Sequence, residues 1–308
     1  MPPLRIAVVG SGGVGGYFGG RLAAGGSDVT FIARGAHLEA LRTSGLRIES
    51  PKGDLHLPHV NATADPASVA PVDVVLFAVK LYDAESAAAS LAPLIGADTV
   101  VVPLQNGVDA SATVARAIAP EHVAGGVAYV SAVISEPGVI RHTALDRLGF
   151  GELDGRRSPR LERLFDASRA GGFQATFSDH IEVDIWGKFV RLSVLSGMTA
   201  VTRSPVGPLR DDPDLFAMMQ AATLEAMAVA RKKGIALPAG AFDETMKTLQ
   251  GLPPQTKSSM LEDLERGKRL ELPWLSGAVV RLGHEVDVET PIHRFITTVL
   301  QPHVNGRD

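Results

Sequence analysis

Residues 4–15 read Leu-Arg-Ile-Ala-Val-Val-Gly-Ser-Gly-Gly-Val-Gly, and no other stretch constrains the chain as strongly. The run from Ile6 to Val9 is apolar without alternation, the pattern of a strand buried on both faces. Val14 to Ala24 suits a helix, and a second apolar run, Val29 to Ala33, ends at Arg34. Strand, glycine turn, helix and strand in that order make a βαβ unit, which demands a parallel sheet covered by helices. The glycines differ in what they permit. Gly10 allows the tight turn, Gly12 lets the backbone approach a pyrophosphate, and Gly15 lets helix and strand pack closely. Ser11, Gly13 and Val14 complete the turn, whose backbone N–H groups and helix dipole favour a phosphate. With 32 glycines in the chain, a turn without a ligand is the competing reading. The strand before it and the helix after it favour a dinucleotide.

Arg34 narrows the choice of dinucleotide. An acidic residue at the tip of the second strand would hydrogen-bond the ribose 2′-OH of NAD, whereas an arginine suits the 2′-phosphate of NADP. The strand ends Phe31-Ile32-Ala33-Arg34 with no carboxylate, and Glu39 falls within the next helix. A guanidinium forks onto phosphate and stacks on adenine. The expectation is NADP(H), against the alternative of a solvated surface arginine.

A chain of 308 residues has room for two domains, and a net charge of −4 with no basic tail argues against nucleic acid as a partner. Zero cysteines exclude disulfides, thiolate catalysis and cysteine-bound metals. Nine scattered histidines lack zinc-ligand spacing, so no metal is expected. No apolar run reaches membrane-spanning length, and the first strand begins within four residues of the start. The expectation is a cytoplasmic protein without a membrane partner.

Further along, Val72 to Val79 reads as another buried parallel strand, ending at Lys80. At the carboxyl edge of such a sheet Lys80 either joins Arg34 on phosphate or is simply exposed. Asp83 to Leu94 reads as a helix and Thr99 to Leu104 as a strand running into Gln105-Asn106-Gly107. Asn106 is either a turn residue or an amide offered to the nicotinamide ribose or a substrate. After a helix over 108–118, strands are expected at 122–134, 138–141 and 147–150. A helix at 160–169 and a strand at 172–177 follow. Beyond Ser178-Asp179 the period changes from 2 to 3.6, with helical candidates at 181–200, 214–233, 241–249, 257–265, 273–282 and 291–300. The fold class is therefore α/β. A Rossmann-type dinucleotide-binding domain over 1–179 precedes an all-helical substrate and dimerisation domain over 180–308.

In Ile185-Trp186-Gly187-Lys188-Phe189-Val190 a lysine sits in apolar company. It either snorkels to the surface or is held in a cleft, where burial would lower its pKa towards a proton donor's range. Ser258-Ser259-Met260 reads as a helix N-cap and Glu271 as a surface carboxylate.

These pieces together resemble the ketopantoate reductase family (2-dehydropantoate 2-reductases) over nearly the whole chain. The marks are the Gly10–Gly15 turn continuing into Gly16-Tyr17-Phe18-Gly19, Arg34 with Gly45-Leu46, Val79-Lys80, and Gln105-Asn106-Gly107. Trp186-Gly187-Lys188, Thr199-Ala200, Ser258 to Leu264, Glu271, Gly277 and Thr290-Pro291 complete them. The resemblance implies that Lys188 is the general acid for a ketone oxygen and that Asn106 touches cofactor and substrate. It also implies that Arg34 and Lys80 lie near the 2′-phosphate and that Ser259 and Glu271 line the substrate pocket.

The chain departs from the family where pantothenate-pathway members carry pocket asparagines, holding Leu192, Ser196 and Val206 there. Pro273 and Ser276 replace an aspartate and an asparagine. Ser196 keeps a hydroxyl at its pocket position, while leucine and valine trade polar partners for apolar volume, so the expected substrate is more apolar or aromatic than ketopantoate. The reading is an NADPH-dependent reductase of a 2-oxo acid or related ketone, acting as a homodimer. The alternatives are a dehydrogenase of another hydroxy acid or an opine-type substrate, and a non-catalytic NADP(H) redox sensor.

Overall fold

The computed structural model describes residues 2–307, and the chain divides into two compact units. The first holds the residues up to Gln105 together with Asp109–Ile181; the second holds Asn106–Val108 and everything from Glu182 onward. Asn106–Val108, far from the rest of the second unit in sequence, thus belongs with the helices.

The first unit runs β1 (Arg5–Val9), α1 (Gly13–Ala24), β2 (Asp28–Ile32), α2 (Gly35–Ser44), β3 (Leu46–Glu49), β4 (Leu55–Leu57), β5 (Asn61–Thr63) and β6 (Val72–Phe77). It continues with α3 (Ala84–Ala88), β7 (Ile95–Pro103), α4 (Ala110–Ala115), β8 (Ala124–Glu136), β9 (Val139–Glu152), α5 (Pro159–Ala170) and β10 (Gln174–Phe177). One sheet is ordered β5-β2-β1-β6-β7 and all its pairings are parallel. A second is ordered β10-β9-β3-β4, with β8 paired antiparallel to β9.

Alternation along β1 explains why its sequence has no polar side. Ile6 and Val8 enter one core with Phe31, Leu76 and Val102, while Ala7 and Val9 enter another with Val75, Phe77 and Val101. Both faces of the strand are covered, as a parallel sheet requires. α1 lies against β1 because Gly15 lacks a side chain: a Cβ there would collide with the Gly10 carbonyl oxygen and come within 2.9 Å of Val8 Cγ1.

Some sequence expectations change. The expected helix over 83–94 is only α3, flanked by 3₁₀ turns at Leu81–Asp83 and Ala92–Leu94. The strands expected at 138–141 and 147–150 are one strand, β9, carried past Leu145 (φ 60°) and two nearby shifts of register with β8. A local irregularity of this kind reads as a break in sequence but only bends the ladder.

The second unit is helical: α6 (Ile181–Thr202), α7 (Val206–Asp211), α8 (Pro213–Lys232), α9 (Ala241–Gly251), α10 (Ser259–Glu265), α11 (Ser276–Glu285) and α12 (Pro291–Leu300). Its core combines Phe189, Val194 and Met198 of α6 with Met219, Ala226 and Met227 of α8 and Val279 and Ile296 of α11 and α12. α8 starts where Asp212 accepts hydrogen bonds from the Asp214 and Leu215 N–H groups, with Pro213 at the first helical position. α12 lacks a side-chain cap of its own. Glu225 of α8 supplies one, accepting from the Ile292 and His293 N–H groups at 2.8 and 3.0 Å. Among the described residues no helix is long and apolar enough to cross a membrane.

Candidate functional site

In the first unit the glycine turn is tied to the end of β2. The Gly10 and Ser11 N–H groups and the Ser11 hydroxyl all donate to the Ile32 carbonyl, at 3.2, 3.3 and 3.1 Å. Gly10 has φ +95°, and a Cβ there would press on the Val79 and Ala78 backbone. Gly12 differs: its φ is −72°, and a Cβ would meet nothing within 4 Å. Neither conformation nor packing calls for glycine at that position, so what it leaves is space. Gly12 also sits at the N-cap of α1 with no side-chain hydrogen bond, and no acidic residue lies in the helix's first turn. The N–H groups of Gly13, Val14 and Gly15 therefore open onto an uncapped, dipole-positive end, which fits a pyrophosphate.

Arg34 is the exposed N-cap residue of α2, two residues past β2. Lys80 is exposed three residues past β6, before the 3₁₀ turn at 81–83. Both follow carboxyl ends of strands in the parallel sheet, where such folds hold ligands. Glu39 is exposed within α2, as its sequence position suggested.

In the second unit three residues distant in sequence form a chain of hydrogen bonds. Lys188 Nζ donates to Asn106 Oδ1 at 3.0 Å, and Asn106 Nδ2 donates to Glu271 Oε2 at 3.2 Å. The amide is thus fixed in orientation, carbonyl towards the cation and NH₂ towards the carboxylate. Glu271 is buried, which corrects its bland reading as a surface carboxylate. Lys188 does not snorkel: only part of its surface is accessible, and burial pushes its pKa down to about 8. Repulsion from Arg191 is the second cause, and the Glu271 carboxylate pulls the other way. An ammonium in that range gives up a proton near neutrality more readily than an ordinary lysine.

Two turns along α6, Ser196 is fully buried with a hydroxyl that has no hydrogen-bond partner. Val206 is fully buried in the helical core, and Leu192 packs against it. Ser258, rather than Ser259, caps α10: its Oγ accepts from the Leu261 N–H at 3.0 Å and shares a 2.7 Å hydrogen bond with Thr199 of α6. Ser259 is exposed. Ser276 is buried, its hydroxyl donating to the Ser193 carbonyl at 3.5 Å. Sequence reading passed over Arg191; its signal was the spacing of three from Lys188. Among the described residues no group of three His, Asp or Glu side chains is placed to hold a metal.

Comparison with known proteins follows the same two units. A family model described as ketopantoate reductase PanE/ApbA matches residues 6–155, and its C-terminal counterpart matches 180–304. A 2-dehydropantoate 2-reductase from Mesorhizobium japonicum is 34% identical over 94% of this chain and 94% of its own length. An uncharacterized oxidoreductase, YkpB, from Bacillus subtilis is 31% identical over 97% of this chain and 98% of its own. The crystal structure of a PanE/ApbA family ketopantoate reductase from Ralstonia eutropha superposes with a TM-score of 0.89 at 32% identity, covering 97% of this chain and 98% of that one.

Proposed function

The chain belongs to the ketopantoate reductase family of oxidoreductases, and from that premise we propose that it is an NADPH-dependent reductase of a 2-oxo acid with Lys188 as its general acid. The observation that carries this reading is the half-buried Lys188 ammonium, oriented by Asn106 and lowered to about pKa 8. When bound, the reduced nicotinamide supplies a hydride to the carbonyl carbon. Lys188 gives its proton to the oxygen that becomes the alcohol, and Asn106 holds Nζ in place for that transfer. Glu271 fixes the Asn106 amide and lines the substrate pocket, with Ser196 and Ser259 as further contacts. The N–H groups of the turn formed by Gly10, Ser11, Gly12, Gly13, Val14 and Gly15 hold the pyrophosphate. Arg34 and Lys80 take the 2′-phosphate.

Leu192 and Val206 leave the pocket apolar where ketopantoate-specific members carry amides, which favours a 2-oxo acid with a bulkier apolar or aromatic side chain. A homodimer formed through the helical unit is supported by exposed Leu224 on α8 and by Phe295 and Val299, one turn apart on α12.

NADPH oxidation across 2-oxo acids, from ketopantoate to aromatic analogues, tests the reading. Turnover of at least one acid is expected, with bulky apolar members ahead of ketopantoate. Tight NADPH binding without oxidation of any member would replace the reductase with a redox sensor. For the cofactor, Arg34→Ala is expected to cost NADPH about 10–10²-fold in affinity, as for one lost charge-assisted contact, and NADH little. Equal loss for both would contradict the 2′-phosphate contact.

A further inference from the structure

Register across the parallel sheet levels the strand ends. Ile32 of β2, Val9 of β1, Phe77 of β6 and Pro103 of β7 pair in one continuous row. The Leu104 N–H carries the last pairing onward, donating to the Phe77 carbonyl at 2.8 Å. Gly10 follows β1 by one residue, while Arg34 and Gln105 each follow their strands by two. Neighbouring strands lie about 4.8 Å apart. Arg34 therefore extends the strand about 5 Å to one side of the glycine turn's own strand, and Gln105 the strand about 10 Å to the other. With the 2′-phosphate of the adenosine half at Arg34 and the pyrophosphate at the turn, the nicotinamide half runs over the ends of β6 and β7.

Gln105 is only 9% exposed, and neither its Oε1 nor its Nε2 has a hydrogen-bond partner. Among the described residues it is the one side chain that buries both a donor and an acceptor unpaired. Burying an amide in that way opposes folding, and proteins seldom tolerate it. Methionine or leucine would fill similar space without the cost, so packing does not account for a glutamine here. No hydrogen bond holds the amide, so turning the side chain about its three rotatable bonds to meet a ligand breaks none.

We propose that the Gln105 amide pairs with the carboxamide of the nicotinamide ring, Oε1 accepting from its NH₂ and Nε2 donating to its carbonyl oxygen, and so fixes which face of the ring meets the substrate. The proposal rests on the NADP(H) reading above. Two carboxamides are self-complementary, since each carries an acceptor and donors in one plane. Phosphate oxygens would leave Oε1 unanswered. A ribose hydroxyl can serve either atom, but the carboxamide answers both in one plane. Rotating the ring about its glycosidic bond moves the carboxamide to the opposite side, so holding the carboxamide holds the face.

The test is binding, followed by titration calorimetry. Gln105→Met is expected to weaken NADPH about 10-fold, the scale of one or two lost hydrogen bonds, and to leave 2′-phospho-ADP-ribose, which lacks the nicotinamide, within about 2-fold. The 3-acetylpyridine analogue of NADP keeps the ring and the carbonyl but not the NH₂. Wild type is expected to prefer NADP over it, and the variant to bind the two alike. The cofactor-free Tm is expected to stay or rise, because an apolar chain of similar length replaces an unpaired amide. Gln105→Leu takes the same measurements if the methionine variant does not fold. A lower cofactor-free Tm would overturn the pairing by tying the amide to the fold itself. Equal losses for NADPH and the fragment, no loss for either, or a preference for NADP that survives the substitution would overturn it as well, while leaving an NADP(H)-binding protein. A wild-type protein that binds neither NADPH nor the fragment would overturn the cofactor reading and the pairing together.

Discussion

The two candidate sites are made of different material. In the first unit the turn presents main-chain N–H groups, and its side chains matter chiefly by being absent: Gly12 has open space beyond it. In the second unit the groups are side chains from positions 106, 188 and 271, wholly or partly buried and hydrogen-bonded in series. A backbone site has no ionisable group to desolvate and changes little with pH. A side-chain site carries the cost of burying charge, and its neighbours tune that charge.

The sharpest way to break this contrast is to remove the lysine. Lys188→Met is expected to lower kcat about 10²–10⁴-fold, the usual contribution of a positioned proton donor, with NADPH affinity unchanged. It should also raise Tm, because a partly buried ammonium is replaced by an apolar chain of similar length. Unchanged turnover on the true substrate removes Lys188 from the chemistry.

A second buried base in the helical unit extends the comparison. His293 of α12 is fully buried, its Nε2 facing the Ala222 carbonyl at 3.1 Å and its Nδ1 without a partner. That arrangement makes Nε2–H the donor and holds the ring neutral, with burial pushing its pKa down to about 4. The unfolded histidine takes up its proton near 6.5. The stability it contributes is complete above that value and is lost as pH falls towards 4, by about 3 kcal/mol. Glu225 at the same helix start works against it in acid, since burial raises its carboxyl and favours the protonated folded form as pH drops. Urea unfolding at pH 7 and pH 4.5 isolates the histidine's contribution when wild type is compared with His293→Gln. An identical loss in both proteins would remove His293 as its source.

Paired substitutions in the turn come next. Gly10→Ala, at φ +95° and against the Val79 backbone, is expected to lower Tm whether or not cofactor is present. Gly12→Ala should leave Tm within the small range of neutral surface changes and weaken NADPH roughly 10-fold, as the methyl fills the space kept for phosphate. If Gly12→Ala binds NADPH normally, the turn is a packing device.

The smallest effect is a displacement along the pH axis. The wild-type rate should fall as pH rises through about 8, where Lys188 loses its proton. Removing the stabilising carboxylate in Glu271→Gln should move that limb to lower pH. A limb that stays in place would show that Glu271 does not act on the lysine's charge.

The difference in material also decides what could be read in advance. β1, the turn, α1 and β2 are contiguous, so their order and the unalternating apolar runs disclose a parallel sheet and its ligand edge. The helical unit's site joins Asn106 to Lys188, 82 residues on, and no periodicity links the two. Without the family resemblance, Asn106 reads equally as a turn residue or a ligand amide and Glu271 as a surface acid, because pairing and burial are properties of the folded chain. Ser258 and Ser259 show the same limit at one-residue scale: either caps on paper, and the 2.7 Å bond to Thr199 selects Ser258.

One consequence follows from the uninterrupted course of α6 over 22 residues. Because a helix rises about 1.5 Å and turns about 100° per residue, Lys188, Arg191, Leu192, Ser196 and Thr199 stand at fixed graduations on a single rod. From Lys188 to Ser196 the rod measures about 12 Å. Under the proposed function, substitutions along α6 would alter the surroundings of Lys188 one graduation at a time while Lys188 keeps its place. A single inserted residue between 188 and 196 would swing every later graduation to another side at once.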